Sequence, residues 1–234
     1  MEKYDKNSDI SYTIGTTLTF ELLLRKPSLA TKIYISPLQK RDETYSRLVA
    51  LAQKNNLPII TNNEKIFKAI SNKDNTMVIG EFKKFSSPLD IAKNHIVLVN
   101  PSNQGNLGTI IRSSAAFLIG GVAIISPAAD IFDPKCVRSS MGAIFDVPFH
   151  YYSSFEEYQK ECGHRQFYPF MLQANTYLDQ VKKQEPYSLI FGNEATGLNA
   201  SFLNVGIPVK IPQSSQIDSL NLDNAVSIGL YAFR

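Results

Sequence analysis

The sequence is poor in residues that would commit it to metal, disulfide or membrane chemistry. It has two cysteines in 234 residues, Cys136 and Cys162. They form no CxxC pair, so neither a zinc site nor a disulfide framework is supported and no metal is expected. No stretch approaches the ~18 apolar residues of a membrane span, and the opening MEKYDKNSDI lacks the apolar run of a signal peptide. A cytoplasmic protein with no membrane partner is expected. Charge is also sparse: 19% of residues are Asp, Glu, Lys or Arg, with a net charge of +3, which permits a nucleic-acid partner without demanding one. The nucleotide fingerprints GxGxxG and GxxxxGK[ST] are absent, so an ordinary dinucleotide or triphosphate site loses its main support.

The chain does have enough apolar residues, 44% of the total, to bury a sizeable core. Short apolar runs alternate with helical patterns: a strand at 32–36, a helix at 42–55, a strand at 58–61 and another apolar run at 77–82. The stretch KKFSSPLDIAKN loses periodicity and reads as a linker, which places a boundary near Pro88 and two domains at 1–88 and 89–234. Further strands are expected at 96–99, 122–125, 167–172 and 188–191, with helices between them. This spacing predicts an α/β fold with a mostly parallel sheet covered on both faces.

Three polar clusters follow strands or precede helices. The first, NPSNQGNLGTIIRSS from Asn100, opens a helix at a strand end, where ligands of parallel sheets gather. On a 100° wheel Ile111, Ser114, Phe117 and Leu118 share a stripe with Ile110. Arg112 points away from it, among Gly108, Thr109, Ala115 and Ala116. A water-facing side usually carries Lys, Glu or Gln, so this small-residue face is expected to meet a second subunit and deliver Arg112 there. The second cluster, FGNEATGL from Phe191, holds Glu194 in a tight loop between Gly192 and Gly197. The third, IPQSSQIDSLN from Ile211, runs into a terminal helix with Leu222, Ala225, Val226, Gly229 and Phe233 on one face and Ile228 and Tyr231 on the other. A helix apolar on two sides is expected to be buried.

In this order, NLGTIIR, FGNEATGL and IPQSSQIDSLNLDNA resemble the motifs of the SpoU/TrmH family of RNA ribose 2′-O-methyltransferases, within the SPOUT superfamily. IFDPKCVRSSMGAIFDVPF resembles a further family stretch. The likeness spans about residues 95 to 234. Residues 1–88 resemble, more weakly, the family's accessory RNA substrate-binding domain. Two departures stand out: IGTTLTFELLLRK replaces the Gly-His-His that often opens that domain, and FLIGGV replaces the commoner Phe-Gly-Val.

The resemblance implies a C-terminal trefoil-knotted parallel-sheet methyltransferase domain, a smaller N-terminal α/β substrate-binding domain, and a homodimer with each active site at the subunit interface. It implies S-adenosylmethionine as cofactor, contacted at Gln173, Ala174, Gly192, Ile211 and Leu220, and tRNA or rRNA as substrate. A ribose 2′-hydroxyl would attack the methyl group in line, which requires orientation and stabilisation of a developing alkoxide. Arg112 is the family's candidate for that role. Because guanidinium groups keep their proton in proteins, it is read as a cation that orients a phosphate rather than as a base. Asn106, expected to cap the helix, together with Glu194, Ser219 and Asn221, would complete the polar wall; capping of the terminal helix is the plain alternative for the last two. Among the basic residues that could grip phosphate (Lys26, Lys32, Lys40, Arg41, Lys135 and Arg138), only Arg138 lies in a family-like segment, and it is expected to bind RNA. Two rival readings remain: a non-catalytic RNA-binding or ribosome-assembly protein that keeps the fold, and a doubly wound nucleotide-binding oxidoreductase.

Overall fold

A computed structural model describes residues 4–71 and 75–234. The chain divides into two compact units, one of Met1–Phe85 with Asp130–Asp146, the other of Ser86–Ala129 with Val147–Arg234. The segment Asp130–Asp146, inside the sequence range expected for the second domain, thus packs with the first unit.

The first unit runs β1 (Ile10–Ile14), α1 (Thr16–Arg25), β2 (Ala30–Ile35), α2 (Glu43–Lys54), β3 (Ile59–Ile60), α3 (Glu64–Ile70) and β4 (Val78–Lys83). Its sheet order is β1-β4-β2-β3, with β4 antiparallel to both neighbours. Asp42, the first residue of the expected helix, caps α2 by accepting the Tyr45 N–H at 2.9 Å. The buried Glu81 carboxylate on β4 accepts from Tyr34 Oη at 2.9 Å and Thr31 Oγ1 at 2.7 Å and pairs with Lys32 at 3.0 Å, so no charge is left uncompensated.

The second unit holds β5 (His95–Val99), α4 (Gln104–Ala116), β6 (Gly121–Ile125), β7 (Phe149–Tyr152), α6 (Phe155–Cys162), β8 (Gln166–Pro169), β9 (Thr176–Tyr177), β10 (Tyr187–Phe191), β11 (Val209–Lys210) and α7 (Leu222–Ala232), while α5 (Pro134–Ser139) lies in the segment returned to the first unit. Five strands form a wholly parallel sheet in the order β7-β6-β5-β10-β8. β6 and β10 are buried along their full length, as expected of strands covered on both faces. The sequence patterns did not indicate β1 or β7, and β8 is shorter than the run at 167–172 suggested, because Phe170 bridges to Val209 and the chain turns at Leu172–Gln173. No helix of the described residues is long and apolar enough to cross a membrane.

α7 departs from the two-sided burial expected of it. Leu222, Val226, Gly229, Leu230 and Phe233 are buried, but Ile228 and Tyr231 are exposed. Leu118 also leaves the stripe assigned to it: it follows α4 with a positive φ of 54° and is 88% exposed.

Under the sheet, fully buried His95 on β5 places Nδ1 2.9 Å from Tyr158 Oη and Nε2 2.9 Å from the Asp90 carbonyl, and Tyr158 meets Ser188 Oγ at 2.6 Å. Burial, assisted by the charge of Arg165, lowers the imidazole pKa to about 4. An unfolded histidine takes up its proton near ~6.5, so between those values the unfolded state binds more protons. The His95 contribution is therefore complete above pH 6.5 and is lost as pH falls toward 4. Denaturant titrations should show that slope in the wild type and a shallower one in His95→Gln; equal slopes would remove His95 as its source.

Candidate active site

The sheet order reverses between β5 and β10. From β5 the chain steps outward through β6 to β7, then crosses to β8 and returns to insert β10 beside β5. Parallel sheets bind ligands outside the carboxyl ends of their strands at such a point. A cavity of about 310 Å³ opens there, lined from β8 onward by Phe170 to Gln173, from the loop after β10 by Phe191 to Leu198, and from the approach to α7 by Ile211, Gln213, Asp218 to Leu220, Leu222 and Ala225.

Two aromatic rings, Phe170 and Phe191, stack at 4.4 Å, and α7 lies close against them because Gly229 has no side chain. A Cβ there would sit 3.0 Å from Phe170 Cζ and 3.1 Å from Phe191 Cζ. Gly192 is more tightly constrained: a Cβ would fall 2.1 Å from the Gly197 carbonyl carbon and 2.3 Å from Leu198 N. Gly197 itself has φ +65° and returns its N–H to the Asn193 carbonyl at 2.9 Å. Backbone atoms cannot rotate aside as a side-chain tip can, so the loop would have to open. Gly192→Ala is expected to destabilise the protein by ~2 kcal/mol or more, read as a lowered urea midpoint at unchanged slope; an unaltered midpoint would show that the loop is free to move.

Glu194 links this loop to the start of α4. Its carboxylate accepts from Ser102 N at 3.0 Å, Ser102 Oγ at 2.9 Å, Asn103 N at 3.1 Å and Asn106 Nδ2 at 3.2 Å. Burial pushes the carboxyl up, but the hydrogen bonds from Ser102 and Asn103 outweigh it and hold its pKa below the ordinary carboxylate value. A carboxylate against a helix N-terminus is also favoured by the exposed N–H groups there. The helix cap is Asn103, whose Oδ1 accepts from Gly105 N at 2.8 Å and Asn106 N at 3.1 Å. The expectation that Asn106 caps α4 is corrected: one turn later, its amide is free to bond Glu194 instead. Asn193 adds a second tie, donating from Nδ2 to the Asn100 carbonyl at 2.8 Å.

Of the residues singled out from sequence, Gln173, Gly192, Glu194, Ile211, Ser219 and Leu220 line the cavity, and Asn106 is joined to it through Glu194. Ala174 does not line it; it is buried in the core cluster with Met171 and Phe202. Asn221 begins α7 without a side-chain capping bond, so the plain capping alternative fails for this residue. Arg138 lies on α5 in the first unit. Arg112 is exposed on α4 and makes no ion pair or hydrogen bond among the described residues. Ser102, Asn103, Phe170 and Asp218 were not singled out; an Asn immediately before a helical pattern could have marked Asn103 as the cap, whereas nothing local marks Ser102 as a partner of a glutamate 92 positions away.

A parallel α/β unit with a ligand cavity at its switch point is a recognised class of cofactor-binding enzyme scaffold. The pattern of the SpoU rRNA methylase family matches residues 93–231, and the chain belongs to that family. A Synechocystis protein named as a tRNA/rRNA methyltransferase is 33% identical over 162 residues, 68% of this chain and 58% of that one. The 23S rRNA (uridine(2479)-2′-O)-methyltransferase of Streptomyces viridochromogenes is 31% identical over 144 residues, 58% of this chain and 50% of its own length. The chain therefore spans only about half to three-fifths of these relatives. In fold, it matches the AdoMet-bound rRNA methyltransferase of Sinorhizobium meliloti with a TM-score of 0.79 over 96% of this chain and 86% of that one, at 24% identity.

Proposed function

We propose that this protein transfers a methyl group from S-adenosylmethionine to a ribose 2′-hydroxyl of tRNA or rRNA, in the cytoplasm and as a homodimer. The observation that carries this reading is the meeting of three segments distant in sequence. Glu194 of the second motif holds Asn106 of the first, and residues of the second and third motifs wall one cavity.

The cavity suits the cofactor. Its lining has two carboxylates, Glu194 and Asp218, and no Lys, Arg or His, which favours a sulfonium cation over the pyrophosphate of a dinucleotide and argues against the oxidoreductase reading. The stacked Phe170 and Phe191 and the close backbone at Gly192 offer an apolar, narrow seat of the kind that takes an adenine. When bound, the cofactor would supply the methyl group as an electrophile. The chain's own part is positioning. Glu194 keeps the start of α4 against the cavity by accepting from the Asn106 amide.

Arg112 lies six residues beyond Asn106, about 9 Å along the helix and ~120° around it, so it leaves α4 on a different side. That direction supports delivery of Arg112 to the partner's cavity, where it would orient the RNA phosphate and stabilise the developing alkoxide while the proton passes to water or a phosphate oxygen. α4 and α7 pack together through Ser113 Oγ and Ser227 Oγ at 3.0 Å, and exposed Ile228, Tyr231 and Leu118 on or beside these helices supply apolar surface for a partner. The trefoil knot fits the ties at the chain's end: the Phe233 carbonyl accepts from Tyr187 Oη at 2.9 Å, and the Arg234 carbonyl from Lys183 Nζ at 2.9 Å. The first unit is read as the RNA-binding part. It carries 16 of the 24 basic and 12 of the 21 acidic residues, a net +4, against −1 for the second unit.

Calorimetric titration with S-adenosylmethionine tests the reading, followed by transfer of labelled methyl to total RNA and digestion to nucleosides. Saturable binding and label in 2′-O-methylnucleosides are expected. A folded protein that ignores millimolar cofactor would instead be the non-catalytic RNA-binding protein.

A further inference from the structure

The two carboxylates of the cavity are not in equivalent states. All of Glu194's bonding goes into holding α4, through the four donors of Ser102, Asn103 and Asn106. The Asp218 carboxylate has no hydrogen bond or ion pair among the described residues. Only its backbone carbonyl is engaged, accepting from Gln213 Nε2 at 3.4 Å, a contact that closes the 213–218 turn and keeps both residues in the lining. The cavity therefore presents one unpaired negative charge and no positive one, which selects a cationic group on whatever occupies it.

S-adenosylmethionine has two such groups, the sulfonium and the α-ammonium, and their charges behave differently in the reaction. The sulfonium charge disappears as the methyl group leaves. A carboxylate against it would stabilise the bound reactant more than the transition state and slow the transfer. The ammonium charge is the same before, during and after transfer, so pairing it adds affinity without raising the barrier. We infer that Asp218 is the counter-ion of the cofactor's α-ammonium group, with Gln213 as the residue that positions it. The inference rests on the methyltransferase reading and adds a residue that neither the sequence motifs nor the polar wall around Glu194 had assigned.

Calorimetry on the full chain at low salt, with three ligands, separates the possibilities. S-adenosylhomocysteine keeps the ammonium and lacks the sulfonium; 5′-methylthioadenosine lacks the whole amino-acid end. Asp218→Asn is expected to weaken S-adenosylmethionine and S-adenosylhomocysteine alike, by roughly five- to tenfold, and to leave 5′-methylthioadenosine unchanged. Added salt should shrink the difference, since Asp218 is exposed. Weakening of S-adenosylmethionine alone would put the carboxylate at the sulfonium and overturn the assignment. Equal weakening of all three ligands would make Asp218 a loop-shaping residue, and no weakening of any would leave it without a role. If the wild-type protein binds none of the three, the methyltransferase reading itself falls, and the Asp218 assignment falls with it.

Discussion

Arg112→Ala is expected to lower the rate of methyl transfer about a hundredfold, equivalent to roughly 2.7 kcal/mol of transition-state stabilisation, with cofactor affinity and dimerisation unchanged. The separation follows from placement. Arg112 is absent from the cavity lining and exposed on α4, so its loss removes no contact from the seat of the cofactor. Retained turnover above a tenth of wild type would reject the proposed role. A mixing experiment tests whether the arginine acts across the interface. Arg112→Ala chains are refolded with an equal amount of chains carrying Leu220→Arg, which fills the cavity with a bulky cation. If the arginine acts on the partner's cavity, half the dimers regain one of two sites and about a quarter of wild-type activity returns. If it acts within its own chain, the mixture stays inactive.

A fragment of residues 86–234 is expected not to fold cleanly, even though it contains the whole region matched by the family. The reason is the segment Asp130–Asp146, which finds its packing partners in residues 4–85. Phe132 contacts the rings of Phe82 and Phe85 at 6.3 and 5.2 Å, Phe145 meets Phe82 at 5.4 Å, and the Phe132 carbonyl accepts from Ser11 Oγ at 2.5 Å. Arg25 pairs with Asp146. Ile131, Phe132, Val137, Ile144 and Phe145 are all buried. At ~1.5–3 kcal/mol for each large apolar side chain, their exposure would cost on the order of 10 kcal/mol, comparable with the whole stability of a domain. The measurable consequences are strong binding of a hydrophobic dye and concentration-dependent aggregation. Replacing 130–146 in the fragment by a short Gly/Ser linker should reduce both. A fragment that unfolds cooperatively and stays monodisperse with the segment intact would show that these residues find burial elsewhere.

Local pattern is a good guide wherever burial is continuous, but it misplaces the cap of α4, which is Asn103 and not Asn106. The apolar runs at 96–99, 122–125 and 188–191 became β5, β6 and β10, because strands buried on both faces need apolar residues at every position. β1 and β7 were hidden: ISYTI and FHYY mix polar and apolar residues whose burial depends on partners elsewhere. The alternation of strands and helices, the family membership and the three candidate segments can all be read from sequence. Tyr231 differs because a helical wheel ranks faces by composition and cannot tell a face covered within the chain from one left open, and Leu118 because α4 ends at Ala116, before the wheel reaches it.

Sequence alone thus determined the α/β class, the family and three of the segments that build the site, since apolar period and motif order are properties of the chain. Tertiary structure decided what those residues do to one another. It turned Glu194 from one loop carboxylate among many into the anchor of α4, left Asp218 as the unpaired charge of the cavity, and gave Asp130–Asp146 to the first unit. The first and the last of these depend on partners about 50 to more than 100 positions away, a range at which the chain's local preferences carry no information and only the burial and pairing of the whole fold select an arrangement.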